Sequence, residues 1–126
     1  MIKTQNLTKS YDGLLAVDIN GNDEEAITIA LQPDNAIVAA GYTVPPSGNP
    51  VSAVLLRVNG DGSLDNSFGT AGKAVVDLSD GSVLNSIVVL ADGRLVATGT
   101  RLTNAGGEDM ILARFNADGT LDPTSV

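Results

Sequence analysis

The chain has 126 residues, enough for one ordinary domain with an apolar core, and carries seven basic against fifteen acidic residues. A net charge of -8 would repel a phosphate backbone, so we expect no nucleic-acid partner. Cysteine and histidine are absent, which removes thiolate nucleophiles, disulfides, imidazole bases and the usual zinc ligands. We therefore expect no cofactor and no bound metal. We also expect no membrane insertion, because the longest strongly apolar run (87–91) is too short to span a bilayer. The start of the chain also lacks an apolar stretch of signal-peptide length.

Short apolar runs separated by turn residues predict β-strands throughout the chain. Apolar residues make up 43% of the sequence but aromatic residues only 3%, which favours strands of Val, Ile, Leu and Ala. In chain order the predicted strands are LLAVDI (14–19), AITIALQ (26–32), AIVAAGY (36–42), SAVLLRVN (52–59), KAVVDL (73–78), NSIVVLA (85–91), RLVATGT (94–100) and DMILARFN (109–116).

The two halves of the sequence align with each other at an offset of 57 to 59 residues. The aligned pairs are Leu7 and Leu64, Ser10 and Ser67, Tyr11 and Phe68, Asp18 and Asp77, Asp34 and Asp92, Gly41 and Gly99, Arg57 and Arg114, and Asp65 and Asp122. The alignment predicts a single unit over residues 1–126. It contains one repeat at about 7–63, a second at about 64–120, and the start of a third copy at 121–126.

Each repeat supplies four strands, which predicts an all-β fold of two four-stranded antiparallel propeller blades. The arrangement is circularly permuted: residues 14–19 align with 73–78, so the N-terminal strand is expected to complete the blade formed by 85–116. Runs such as IVVL are apolar at consecutive positions, which indicates sheets that are covered on both faces. Gly41 and Gly99 are expected to allow neighbouring sheets to approach closely. A two-layer sandwich is the alternative, although it predicts a cleaner alternation of apolar and polar residues.

The segments ALQPDNAIVAAGY, LLRVNGDGSLDNSFGTAGKAVVDL, VLADGRLVATGT and ILARFNADGTLD together resemble the delta-60 repeat, a bacterial tandem unit of propeller type. They are similar, more loosely, to NHL-type propeller repeats. The resemblance implies a bacterial protein of an exported or cell-surface type, with many repeats and no established activity. This chain departs from the pattern in having two copies, Asn35 at a turn where glycine is usual, and the ending LDPTSV.

Two blades have four broad faces, and packing them together covers two. If each remaining face leaves on the order of 500 Å² of apolar surface in water, the lost burial is roughly 12 kcal/mol per face. That rivals the stability of a whole domain. We therefore expect copies to assemble into a cyclic homo-oligomer, a trimer with six blades or a tetramer with eight, or to form part of a longer array.

The stretch NGDGSLD (59–65) and its copy NADGTLD (116–122) resemble the opening of a calcium loop. Aligned on such a loop, however, Arg57 and Phe68 occupy ligand positions in the first copy. The sequence therefore favours structural turns rather than a metal site. The predicted turn residues are Asn59, Asp61, Gly62, Asp65, Asn116, Asp118, Gly119 and Asp122. The acidic segment DINGNDEE (18–25) is likewise interpreted as a solvated turn.

Positions that differ between the copies are where a specific site could lie, because shared residues serve the blade. On this ground the candidate contacts for a protein or glycan ligand are Tyr42, Asn49, Asn104, Glu108 and Asp109. The sequence favours a non-enzymatic scaffold or binding module. The alternatives are a carbohydrate-active hydrolase with paired carboxylates and a calcium-dependent adhesion module.

Overall fold

The computed structural model describes residues 8–11, 14–48, 50–76, 81–103 and 106–122. This part of the chain contains nine β-strands and no helix, and so no helix that could cross a membrane. The strands are β1 (Thr8–Tyr11), β2 (Leu14–Val17), β3 (Asp23–Leu31), β4 (Ile37–Val44), β5 (Ser52–Val58), β6 (Lys73–Val76), β7 (Ser82–Val89), β8 (Leu95–Leu102) and β9 (Glu108–Phe115).

Two antiparallel sheets form the body of the protein. The first blade is the four-stranded sheet β3-β4-β5-β6, and the second blade is the three-stranded sheet β7-β8-β9. Neighbours in each sheet are also neighbours in sequence, and the longest connection within a sheet, residues 59–72, joins β5 to β6. The predicted all-β architecture of antiparallel, blade-like sheets is confirmed.

The two blades have the same internal register. Both show a β-bulge in the first strand, between Ala26 and Thr28 in the first blade and between Leu84 and Ser86 in the second. The glycine opposite the bulge is Gly41 in one blade and Gly99 in the other. Residues aligned in the two repeats therefore occupy equivalent structural positions.

Gly41 and Gly99 each have a structural role within their own sheet. Each glycine lies against the neighbouring strand of its own sheet, where a β-carbon would overlap a backbone carbonyl oxygen, that of Glu25 in the first blade and that of Val83 in the second. The bulge turns this carbonyl toward the facing strand, so the position has no room for a side chain.

The core lies between the blades, where β7 packs against β3, β4 and β5. Its largest fully buried side chains are Phe68, Phe115, Leu55, Leu84, Leu95 and Val38. Leu55 and Val38 come from the inward side of the first blade, and Leu84 and Leu95 from the inward side of the second. One face of each blade therefore forms the core.

The N-terminal strand does not complete the second blade within the single chain. Instead β2 pairs with β1 in a separate two-stranded sheet, and the described part of the second blade has three strands. The link from β2 to β3 is short and contains a turn closed by a hydrogen bond from the Asn22 amide to the Ile19 carbonyl (2.9 Å). Residues 19 and 20 line a cleft with Lys73 and Val75 of the first blade. The prediction that residues 14–19 complete the blade formed by 85–116 is therefore wrong for a single chain, because β2 pairs with β1 instead of β9.

Replacing either bulge glycine should destabilise the fold. We expect Gly41→Ala and Gly99→Ala each to lower the free energy of unfolding by about 1–3 kcal/mol, because the backbone of the neighbouring strand must move to admit the methyl group. Gly60→Ala is the control, since the nearest atom to its added β-carbon is 3.8 Å away, an ordinary contact. Urea unfolding followed by circular dichroism would measure all three. Equal stabilities for the Gly60 and Gly99 variants would contradict the assignment.

Candidate functional site

Tyr42 is held on the first blade by a cross-strand hydrogen bond. Its hydroxyl donates to Glu25 Oε2 at 2.9 Å, and Glu25 lies directly opposite in β3. The hydrogen bond to this carboxylate raises the pKa of Tyr42 above its ordinary value. The ring is half-buried near the end of β4. A ligand that stacked on this ring would therefore meet a side chain already held by the sheet.

The other candidate contacts that the structure describes lie on the second blade. Glu108 and Asp109 open β9, are exposed, and stand opposite Leu102 and Arg101 at the end of β8. Tyr42 occupies the corresponding end of the first blade, on a different sheet. Asn49 and Asn104 lie outside the described residues.

The acidic segment after β2 forms a hydrogen-bonded turn. The Gly21 amide donates to Asp18 Oδ2 at 3.0 Å, and Asn22 Nδ2 donates to Thr43 Oγ1 at 3.0 Å. Thr43 in turn donates to Glu24 Oε2 at 3.1 Å, while burial raises the pKa of Glu24. Within the described ranges, no three Asp or Glu side chains cluster as they would around a metal ion.

The two DG turns contain the same hydrogen-bond network. In the first, Asp61 Oδ1 accepts from the Ser63 amide (2.9 Å) and hydroxyl (2.6 Å), and Asn59 Nδ2 donates to the Ser63 hydroxyl (3.1 Å). The turn glycine has φ near 90°, a conformation that glycine adopts without strain.

In the second turn, Asp118 Oδ1 accepts from the Thr120 amide (3.0 Å) and hydroxyl (2.7 Å), and Asn116 Nδ2 donates to that hydroxyl (2.9 Å). Gly119 repeats the positive φ of Gly62. The Asn and Asp side-chain atoms in these bonds are thus engaged with their own turns. The hydrogen bonds from the hydroxyl and amide two residues ahead lower the pKa values of Asp61 and Asp118.

Arg57 joins the two blades through one guanidinium group. Its Nε forms an ion pair with Asp65 Oδ2 at 2.8 Å, and its Nη1 donates to the Ala117 carbonyl at 2.7 Å in the turn of the second blade. The guanidinium lies over the Phe68 ring, 4.8 Å from its centroid. The side chain is largely buried and fixes the spacing of the two blades at this end. We call it, with its partners, the Arg57 clasp.

Four further contacts extend the clasp. Gln32, which is buried, accepts from Arg57 Nη1 (3.1 Å) and donates to the Gly93 carbonyl (2.9 Å). The Gly69 amide donates to the Asp118 carbonyl at 2.6 Å, and Phe68 packs against Gly119. Sequence reasoning did not single out Gln32. The signal available in the sequence was that Gln32 is polar, whereas the residue aligned with it in the other copy, Leu90, is apolar.

Within the described residues, each blade also presents one apolar face that no other element covers. The free face of the first blade consists of Ile29, Leu31, Ile37 and Val75. The free face of the second blade consists of Val88, Met110 and Leu112. These residues lie on the sides of the sheets that point away from the core.

The fold and its repeated turns define a pair of β-propeller blades, and the comparison with protein families agrees. The profile of the family described as "domain of unknown function (DUF5122) beta-propeller" matches residues 32–68 and 90–124, more than half of the chain. The chain belongs to this family. One match begins in each repeat, and each extends a few residues into the next copy. A comparison with curated proteins found no match.

Removing the Arg57 side chain should weaken the contact between blades. We expect Arg57→Ala to lower the free energy of unfolding by about 2–3 kcal/mol, because it leaves Gln32, Asp65 and the Ala117 carbonyl without this donor. The comparison variant is Arg94→Ala, since Arg94 forms ion pairs with Asp92 (2.7 Å) and Asp122 (3.5 Å) within the second blade, and its side chain is more exposed to solvent than that of Arg57. Urea titration should give a clearly smaller loss for Arg94→Ala. Equal losses would show that Arg57 does not act between the blades.

Acid should destabilise the protein through the turn aspartates. Hydrogen bonds lower the pKa values of Asp61, Asp65, Asp92 and Asp118 in the folded state. Below about pH 5 the unfolded chain, with Asp pKa near 3.9, therefore binds more protons than the folded chain, and stability falls as the pH drops. Glu24 has a raised pKa and opposes this trend in part.

Denaturant titrations between pH 6 and pH 3, at one protein concentration, would measure the dependence. Asp61→Asn and Asp118→Asn should each flatten the slope, because an amide oxygen still accepts the turn hydrogen bonds but does not titrate. A stability that rises toward pH 3 in the wild-type chain would contradict the assignment.

Proposed function

We propose that this protein is a non-enzymatic self-assembling module, with repeats of the delta-60 type, whose copies associate head to tail into a closed propeller ring. The ring is a scaffold. Its loop ends, including Tyr42, Glu108 and Asp109, provide the surface for a protein or glycan ligand. The observation that carries the proposal is the opposite burial of equivalent residues in the two blades.

The free face of the first blade is equivalent to the covered face of the second. Ile29 is 70% exposed, whereas Ile87, its equivalent in the second blade, is 8% exposed. The reason is that Ile87 faces the first blade, while no blade stands in front of Ile29 in the described part of the chain. The sequence at Ile29 therefore suits a contact that one copy does not make.

The free face of the second blade shows the reverse pattern. Met110 is 88% exposed and Leu112 is 53% exposed, while their equivalents Ala53 and Leu55 are fully buried under the second blade. The internal interface joins the Leu55 side of one blade to the Ile87 side of the next. The same rule would join the Leu112 side of one copy to the Ile29 side of another, which is a heterologous contact that closes into a ring by rotation. Three copies give six blades and four give eight.

Light scattering coupled to size exclusion tests the assembly, and two single-face variants test its polarity. We expect the wild-type chain to have the mass of a trimer or tetramer. Ile29→Asp and Met110→Asp should each be monomeric alone, because each removes one of the two complementary faces. Their mixture should form a 1:1 heterodimer, since the Ile29→Asp chain keeps an intact second-blade face and the Met110→Asp chain keeps an intact first-blade face.

Ala91→Asp, which adds the same charge in an exposed turn, is the control and should assemble as the wild type does. A folded wild-type monomer at high micromolar concentration would refute the proposal. Variants that assemble alone, or a mixture that stays monomeric, would refute the head-to-tail contact even if the wild-type chain were oligomeric.

A further inference from the structure

Of the strands that lie at a sheet edge in the described chain, β2 and β9 bear on how copies could be joined. β2 has β1 on one side and no described strand on the other, and β9 has β8 on one side only. Near its C-terminal end β9 is capped by the segment that follows it, through the Phe115–Leu121 bridge and the hydrogen bond from the Asp122 amide to the Arg114 carbonyl (2.8 Å). The backbone of Asp109–Ala113 remains as an open edge, which a further strand can pair with.

We infer that β2 of one copy adds to the open edge of β9 in the neighbouring copy and becomes the fourth strand of its second blade. The inference rests on the proposed head-to-tail assembly and specifies how the copies are joined. The strands run antiparallel, and the paired residues are Leu14 with Ala113, Leu15 with Leu112, Ala16 with Ile111, and Val17 with Met110.

The register comes from the complete first blade. There β6 pairs with β5 in the order Lys73 with Leu56, Ala74 with Leu55, Val75 with Val54, and Val76 with Ala53. The alignment of Asp18 with Asp77 sets residues 14–17 over residues 73–76, and the alignment of Arg57 with Arg114 sets β5 over β9. The matching registers of the two blades support this transfer, because Gly41 pairs with Val54 as Gly99 pairs with Ile111.

The position of β2 agrees with this assignment. Ile19 and Asn20, which follow β2, line a cleft of about 690 Å³ with Lys73 and Val75. Val75 belongs to the free face of the first blade. The link between β2 and β3 therefore lies on the side where the second blade of a neighbouring copy would stand. A neighbour docked on that face would bring its β9 to the same side.

The hairpin need not open for this addition. β2 can keep β1 on one edge while its other edge accepts β9, so the neighbour gains a fourth strand without a loss of pairing in the donor. Backbone pairing of this kind contributes affinity, and the alternation of side chains fixes the register. The β2 and β9 edges left open in each copy are then both covered.

Because the chain has no cysteine, disulfide trapping can test the register in the full-length protein. Ala16→Cys with Ile111→Cys places two thiols at directly opposed positions, within the distance that a disulfide spans. Ala16→Cys with Ala113→Cys is the control, since a shift of two residues moves the α-carbons beyond about 7 Å. Under mild oxidation we expect the opposed pair to give at least ten-fold more interchain product, with a ladder that ends at the ring size.

Mixing the two single variants, Ala16→Cys and Ile111→Cys, should give a covalent dimer under the same conditions. Interchain product from the opposed pair supports the inference. An oligomer by light scattering with no cross-link, or with preferential cross-linking of the shifted pair, overturns strand addition but leaves the proposed assembly. A disulfide formed within one chain overturns it as well. A monomeric wild-type chain removes both proposals.

Discussion

The structure depends on one constraint: each blade is apolar on both broad faces, and one blade–blade contact covers only one face of each. β7 packs against β3, β4 and β5, which buries Leu55 and Leu84 and builds the core. Burial of apolar surface is the main favourable contribution to folding, so the two faces left uncovered cost stability in proportion to their area. The property that packs the two blades against each other also leaves exposed apolar residues on the other face of each blade.

Because the chain contains two copies of the same unit, the effect of a neighbouring blade can be read from the exposure of equivalent residues. Aligned residues share a local structure, down to the bulge opposite Gly41 and Gly99, but they differ in what stands in front of them. Ile29 and Ile87 have the same side chain, the same strand position and very different exposure. The difference in exposure arises from the neighbouring blade, since the side chain and its position within the blade are the same in both.

The blades are joined by polar contacts as well as by apolar packing, and these contacts are specific to the interface. The DG turns satisfy their own side-chain groups, and their Asp carboxylates form hydrogen bonds two residues along the chain. Arg57 donates a hydrogen bond to a backbone carbonyl of the second turn, that of Ala117. A turn repeated for local reasons thus also serves as the acceptor in a tertiary contact.

The sequence by itself determined eight of the nine strands, the repeat and the turns, because alternation of apolar runs with Asn, Asp and Gly acts over a few residues. The short strand β1 was not predicted. It did not show that Arg57 pairs with Asp65. Tertiary structure decided which faces are covered, that Gln32 is part of the interface, and that β2 pairs with β1 and not with β9. These features depend on contacts between residues far apart in the chain, such as Gln32 with Gly93. A pattern of a few neighbouring residues does not show which distant part of the chain will pack against them.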